Sequence, residues 1–145
     1  MAVNVTIRAA MQDDIDAVLA LWSQARSENA STPDTPEALT TLLARSPGAL
    51  LVAEDEHDGI VGAIVAGWDG WRGNMYRLAV HPRHRRKHIG LALAREAEHQ
   101  LKASGARRIT ALVAHEERHA VEFWTRAGYA RDMTIVRFVK PLSGD

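Results

Sequence analysis

Residues 75–94 read MYRLAVHPRHRRKHIGLALA, and the order of residue types in this stretch decides the fold. A short apolar strand, Leu78-Ala79-Val80, stops at Pro82 and gives way to a basic loop over residues 83–87 before Gly90 opens an amphipathic helix. Proline ends the strand because it has no N–H to donate to a ladder. Leu91, Ala94, Ala97 and Leu101 then recur at helical spacing, and Gly105 is placed for a left-handed C-cap. Backbone N–H groups at such a helix start, with the positive end of the helix dipole behind them, bind phosphate without a special side chain. Residues 81–88 hold four Arg or Lys, three His and no acid. A basic run alone is most often solvated surface; set between a strand and a helix, this one reads as an anion-binding loop. The next strand-like run, residues 108–114, completes a strand–helix–strand unit. Its two strands should be parallel neighbours, with a ligand beside their C-terminal ends.

The flanks alternate strands and helices in the same manner. Residues 3–9 read as a strand, and Ile15, Val18, Leu19 and Trp22 give one apolar face to a helix over about residues 12–27. After a loop at 29–34, Thr35 as N-cap and Pro36 at the first helical position start a short second helix, buried through Leu39, Leu42 and Leu43. Residues 49–54 and 60–68 are apolar runs joined by a polar turn ending in Asp58-Gly59, and should form an antiparallel hairpin. A second turn at 69–74 feeds the strand 75–80. Residues 118–127 read as a helix capped by Gly128, and residues 129–140 as a terminal hairpin or pair of strands. The expected fold class is α/β (α+β), a mixed and mostly antiparallel sheet with a central parallel strand pair, flanked by about four helices.

Composition sets limits. With 145 residues, 46% hydrophobic and 25% charged, the chain suits one domain spanning residues 1–145. No apolar run approaches the roughly 20 residues that span a bilayer, and no signal-like N-terminus is present, so no membrane contact is expected and the cytoplasm is the default compartment. The absence of cysteine excludes disulfides, thiolate metal sites and a cysteine-linked acyl intermediate, and no metal is expected. Eighteen Lys plus Arg balance eighteen Asp plus Glu, which argues against nonspecific attraction to nucleic acid.

The loop carries a resemblance. Arg85-Arg86-Lys87-His88-Ile89-Gly90, preceded by Leu78-Ala79-Val80-His81-Pro82, resembles the acetyl-CoA loop of the GNAT-type N-acetyltransferases: Arg or Gln, two residues, Gly, one residue, then Gly or Ala. Arg85 fills the first position and Gly90 the last, while His88 stands where the family usually has glycine. Val5-Thr6-Ile7-Arg8 looks like the family's opening strand. Ala120-Val121-Glu122-Phe123-Trp124-Thr125-Arg126-Ala127-Gly128-Tyr129 is similar to its closing motif, Ala-x-x-Phe-Tyr-x-x-x-Gly-Phe, so the similarity covers nearly the whole chain.

The resemblance implies acetyl-CoA as cofactor. It implies a β-bulge in the strand before the loop, with the pantetheine arm along Leu78, Ala79 and Val80. The pyrophosphate would lie on the amides of Arg86, Lys87, His88, Ile89, Gly90 and Leu91, with charge added by Arg85, Arg86 and Lys87. Glu117, Phe123 and Trp124 would line the same site. Two readings of His88 stand side by side: an ordinary residue on an ordinary backbone, or an imidazole joining the phosphate site.

Acetylation of an amine needs a base for the ammonium proton and an acid for the leaving thiolate. The family's acidic tyrosine is Trp124 here, and indole supplies no useful proton. Leu112 occupies a common glutamate position and cannot act. Tyr76 reads either as a core residue with its hydroxyl satisfied or, with water, as the base; His115 stands behind it as base or as a solvated loop residue; and the Val80 amide is expected to polarise the thioester carbonyl. Trp68, Asp69 and Trp71 read either as a packed hairpin end or as a pocket for an amine with an apolar body.

The expected activity is transfer of an acetyl group to a primary amine of a small molecule or protein, by direct attack in a ternary complex. A catalytically silent acyl-CoA-binding module and a nucleic-acid-binding domain using residues 81–88 are the alternatives, the last disfavoured by the zero net charge. A homodimer across a strand such as residues 134–140 is compatible with the sequence and not required by it.

Overall fold

The computed structural model describes residues 4–25, 34–113 and 118–142. Five strands form one sheet in the order β1 (Val5–Ala9), β2 (Leu50–Asp55), β3 (Gly59–Trp68), β4 (Gly73–Val80), β5 (Ile109–Ala111). The first four are antiparallel and β4 pairs β5 in parallel, which is the mixed sheet expected. Its helices are α1 (Ile15–Ala25), α2 (Pro36–Arg45), α3 (Ile89–Ser104) and α4 (Arg118–Arg126).

Local signals account for the helix ends. Gln12–Asp14 forms a 3-10 turn before α1, so the first helical segment is split where a single helix was expected. The Thr35 hydroxyl accepts a 3.1 Å hydrogen bond from the Ala38 amide at the start of α2. Gly105, at φ 118°, closes α3 in the left-handed region.

Both faces of the sheet are covered, which is why β2 and β3 are near-continuous apolar runs. Leu50, Val52, Ala63 and Val65 face Ile15, Val18, Trp22 and Leu39 of α1 and α2. Leu51, Ala53, Val61, Ile64 and Met75 face Ile89, Leu93, Leu101 and Trp124 of α3 and α4. Each fully buried Leu or Ile in these layers contributes about 1.5–3 kcal/mol relative to exposure. A Cβ at Gly62 would come within 2.9 Å of Leu93, so this glycine lets α3 lie directly on β3.

Two expectations are corrected near the C-terminus. β5 is three residues long rather than the seven of 108–114. Residues 129–140 contain no strand: the segment has no ladder partner among the described residues, and Met133, Ile135, Val136, Phe138 and Val139 are exposed. The β-branched and apolar residues there satisfy strand propensity, but a strand also needs an edge to pair with.

Candidate active site

The upper part of β4 is built around a bulge. Ala63 pairs with Ala79 and Val65 with Tyr76, so Arg77 and Leu78 together oppose Ile64, and Arg77 takes φ 58°. The extra residue switches the faces of the strand. Tyr76 packs with the α1/α2 layer, whereas Leu78 and Val80 pack with the α3/α4 layer. Simple alternation would have put all three side chains on one face. The Arg77 guanidinium pairs with Asp34 at 3.0 Å, tying the segment before α2 to the bulge.

Above the bulge β4 and β5 part. Their ladder covers Gly73 to Met75 against Ile109 to Ala111, followed by one more bond from the Leu112 amide to the Met75 carbonyl at 2.9 Å. Beyond this, β4 continues to Val80 with a partner on the β3 side alone among the described residues. The His81 amide donates to Val61 O at 2.8 Å. Val80 and Gly62 are therefore a non-hydrogen-bonded pair, and the Val80 N–H points to the open edge.

The loop follows at once. Residues Pro82–His84 form a 3-10 turn, entered through His81, whose Nδ1 accepts from the Arg83 amide at 3.1 Å. Arg86 and His88 both lie in the left-handed region, at φ 66° and 62°, and α3 begins at Ile89. Left-handed residues interleaved with ordinary ones turn consecutive N–H groups toward one concavity, a geometry that receives anionic oxygens. His88 thus occupies a conformation that glycine adopts freely and an L-residue adopts at about 1 kcal/mol. The side chains of Arg85, Arg86, Lys87 and His88 are exposed around this concavity. A Cβ at Gly90 would meet the Phe123 ring at 3.3 Å and Val80 at 3.6 Å, so Gly90 brings the start of α3 against both the open strand and α4. Leu78, Ile89 and Leu91 pack on this same α3/α4 side, whereas Ala79, expected with them, faces the α1/α2 layer because side chains alternate along the strand.

His84 was not singled out by the sequence and is the most buried polar side chain of the loop, 6% exposed. Its Nε2 lies 2.8 Å from Asp58 of the β2–β3 turn, and its Nδ1 3.4 Å from Lys87 Nζ. That turn is itself held by Asp55, whose carboxylate accepts from the Asp58 and His57 amides, both at 2.9 Å, and is kept below the usual carboxylate range by them.

Trp124 is buried and packs edge-on between Phe123 and Tyr129, at 5.1 and 5.0 Å between centroids. The Tyr129 hydroxyl donates to Glu98 on α3; burial, then that carboxylate, raise the pKa of the phenol. His115 and Glu117 lie outside the described residues. Tyr76 is half-buried, with its hydroxyl over Gly67.

Trp68, Asp69 and Trp71 sit at the β3–β4 turn, the end of β4 opposite the loop, about 20 Å away along the strand. The Asp69 carboxylate accepts from the Arg72 and Trp71 amides at 2.6 and 2.7 Å, and these two bonds hold it below the usual carboxylate range. The Trp68 ring lies against Gly105, while Trp71 is 74% exposed under the Arg72 guanidinium at 4.0 Å. Trp68 and Trp71 share an open groove of about 1980 Å³ with Ile109, Val113, Trp124 and Met133. The structure therefore brings Leu78, Val80, the loop and Phe123 together, puts Ala79 on the opposite face of the sheet, and sets Trp124 at the groove lined by Trp68 and Trp71.

A model of the acetyltransferase (GNAT) family matches residues 15–129. An acetyltransferase of Photorhabdus laumondii is 33% identical over 140 residues, 96% of each chain. Among solved structures, Ard1 from Thermoplasma volcanium superposes with a TM-score of 0.76 at 22% identity, over 88% of this chain and 84% of that one. The PaiA N-acetyltransferase of Thermoplasma acidophilum, solved in complex with coenzyme A, gives a TM-score of 0.73 at 19% identity over 86% and 88%. With a family model over most of its length and a full-length relative of this identity, the chain belongs to the GNAT acetyltransferase family.

Proposed function

We propose that this protein transfers the acetyl group of acetyl-CoA to a primary amine of a small molecule or protein, by direct attack within a ternary complex. The observation that carries this reading is the upper edge of β4, without a ladder partner among the described residues, contiguous with a loop whose left-handed residues suit it as a backbone anion cradle. Acetyl-CoA supplies the activated acyl group as a thioester. Its pantetheine amides are suited to pair with the free β4 edge at Leu78 and Val80, and its pyrophosphate to the amides of residues 86–91 with Arg85, Arg86 and Lys87 adding charge. The family and the coenzyme A complex of the Thermoplasma acidophilum relative support that assignment.

In the transfer itself, the Val80 N–H donates to the carbonyl oxygen as negative charge develops there. Tyr76, with a water, is assigned the amine's proton, and His115 remains the second candidate. Trp124 packs in the core and donates no proton, so the leaving thiolate takes one from solvent. The absence of a side-chain acid at Trp124 also favours a second reading, a module that binds acyl-CoA without turnover. No described helix is long and apolar enough to cross a membrane, and we assign the activity to a single cytoplasmic domain.

A thiol-release assay with acetyl-CoA against a panel of amines and peptides separates the two readings. Release that depends on one class of amine is the expected result. Calorimetric binding of acetyl-CoA without release on any amine would leave the binding module, and no binding at about 1 mM would remove both.

A further inference from the structure

Among the described residues, only Asp14 and His84 are charged or titratable side chains that are buried. Asp14 is matched by Arg8, a pairing near the start of α1. His84 is different, because its partners come from two separate segments: Asp58 from the β2–β3 turn, 26 residues away in sequence, and Lys87 from its own loop. We infer that His84 is a positioning residue for the anion loop, tying it to the β2–β3 turn through Asp58 and holding Lys87 from inside, so that the grip on the CoA phosphates depends on a side chain of that turn. This inference rests on the acetyl-CoA reading above.

The chemistry of the partners fixes how the tie works. An ammonium has donors and no acceptor, so a hydrogen bond between Lys87 and this ring, 3.4 Å apart, is one that Nδ1 accepts. Nε2 then carries the hydrogen and donates to Asp58 at 2.8 Å. In that tautomer the ring makes both contacts at once. Asp58 and Asp55 from the turn, and Lys87, Arg83 and the edge-on His81 from the loop, are the charged or titratable groups around it. Asp58 is mostly solvent-exposed, so its substitution leaves the packing around His84 in place. A cavity of about 220 Å³ lies beside the tie, lined by Asp58, Ile60, Val61, His81, Arg83 and His84. Nothing else from the turn is hydrogen-bonded to the loop's side chains among the described residues, so loss of this tie leaves the strained residues Arg86 and His88 to relax.

The test compares Asp58→Ala, Asp58→Asn and His84→Phe by calorimetry with acetyl-CoA and with acetyl-pantetheine, which lacks the phosphates, and by steady-state kinetics. Asp58→Ala and His84→Phe should each weaken acetyl-CoA about tenfold, the factor expected of one lost charge-assisted hydrogen bond. Neither should change affinity for acetyl-pantetheine, and kcat at saturating acetyl-CoA should stay within about twofold of the parent. Asp58→Asn, whose amide oxygen still accepts from Nε2–H, should restore near-parental affinity. Amide exchange of residues 85–88 in the free protein should accelerate in Asp58→Ala and not in Asp58→Asn. Unchanged acetyl-CoA affinity and loop exchange in Asp58→Ala overturn the inference, as does an Asp58→Asn variant as impaired as Asp58→Ala, which would make the contact an ion pair of a charged ring. Should His84→Phe not fold, the two Asp58 variants decide the matter. Failure of the parent protein to bind acetyl-CoA counts against the activity, while the exchange measurement still judges the tie.

Discussion

The two halves of β4 belong to one strand and have opposite employment. From Gly73 to Met75 the strand is paired on both sides, to β3 and to β5, and Met75 is fully buried. Above the bulge, Ala79 and Val80 pair with β3, and among the described residues this part of the strand has no ladder partner on its other side. One residue separates the two regimes: the bulge at Arg77 both turns the upper strand away from β5 and exchanges which side chains face which layer. The lower half holds the domain together, and the upper half keeps polar backbone groups unspent. Unpaired strand edges are ordinarily protected because they template association; here the edge lies beside the loop proposed to hold the cofactor's phosphates.

That contrast can be broken from either side. Met75→Ala should destabilise the protein by about 3 kcal/mol, as expected of a cavity in a closed core, with acetyl-CoA affinity little changed once the variant is folded. Thermal unfolding with calorimetry checks both halves of this statement. Deleting Arg77 should have the reverse profile. Removing the extra residue of a bulge leaves Tyr76, Leu78, Ala79 and Val80 on their present faces, so the fold should survive, but the upper strand then continues straight toward β5. A fall of about a hundredfold in kcat/KM is expected, the scale of an ångström-sized misplacement.

Much of this architecture was legible in the residues and some was not. Pro82, the basic run and Gly90 located the loop and the start of α3, and Thr35-Pro36 and Asp58-Gly59 located a helix start and a turn, because each depends on a residue with a local conformational preference. The bulge has no such marker: Arg77 is neither glycine nor proline, and its sole hint is a charge inside an apolar run. His84 reads as one more member of a basic loop, since the aspartate that buries it is distant in sequence. Residues 133–139 are rich in β-branched and apolar residues, yet whether a strand forms is decided by what lies beside it.

Smaller effects sharpen the same contrast. The Arg8 guanidinium, at 2.7 Å, and the Met11 amide hold the Asp14 carboxyl below its ordinary value of 3.8, against a smaller opposing effect of burial. A carboxylate with a lowered folded-state pKa contributes stability above the unfolded value and loses it as pH falls through the folded one. Asp14→Asn should therefore cost about 1–2 kcal/mol at neutral pH, with the difference from the parent shrinking below pH 3.8. Because this pair lies outside the cleft, cofactor affinity should not follow it; chemical denaturation at several pH values and one binding titration test the claim. The smallest change is His88→Gly, which relieves a left-handed L-residue and should raise stability or cofactor affinity by no more than about 1 kcal/mol.

The most direct test of the central claim is residue-resolved amide exchange with and without acetyl-CoA. The account predicts that the cofactor shifts and protects the Val80 amide and those of residues 86–91, while the amides of residues 73–75, already committed to the lower ladder, keep their exchange rates. Binding that left the Val80 amide unprotected, or perturbed the lower ladder instead, would contradict the assignment of the open β4 edge as the cofactor's seat.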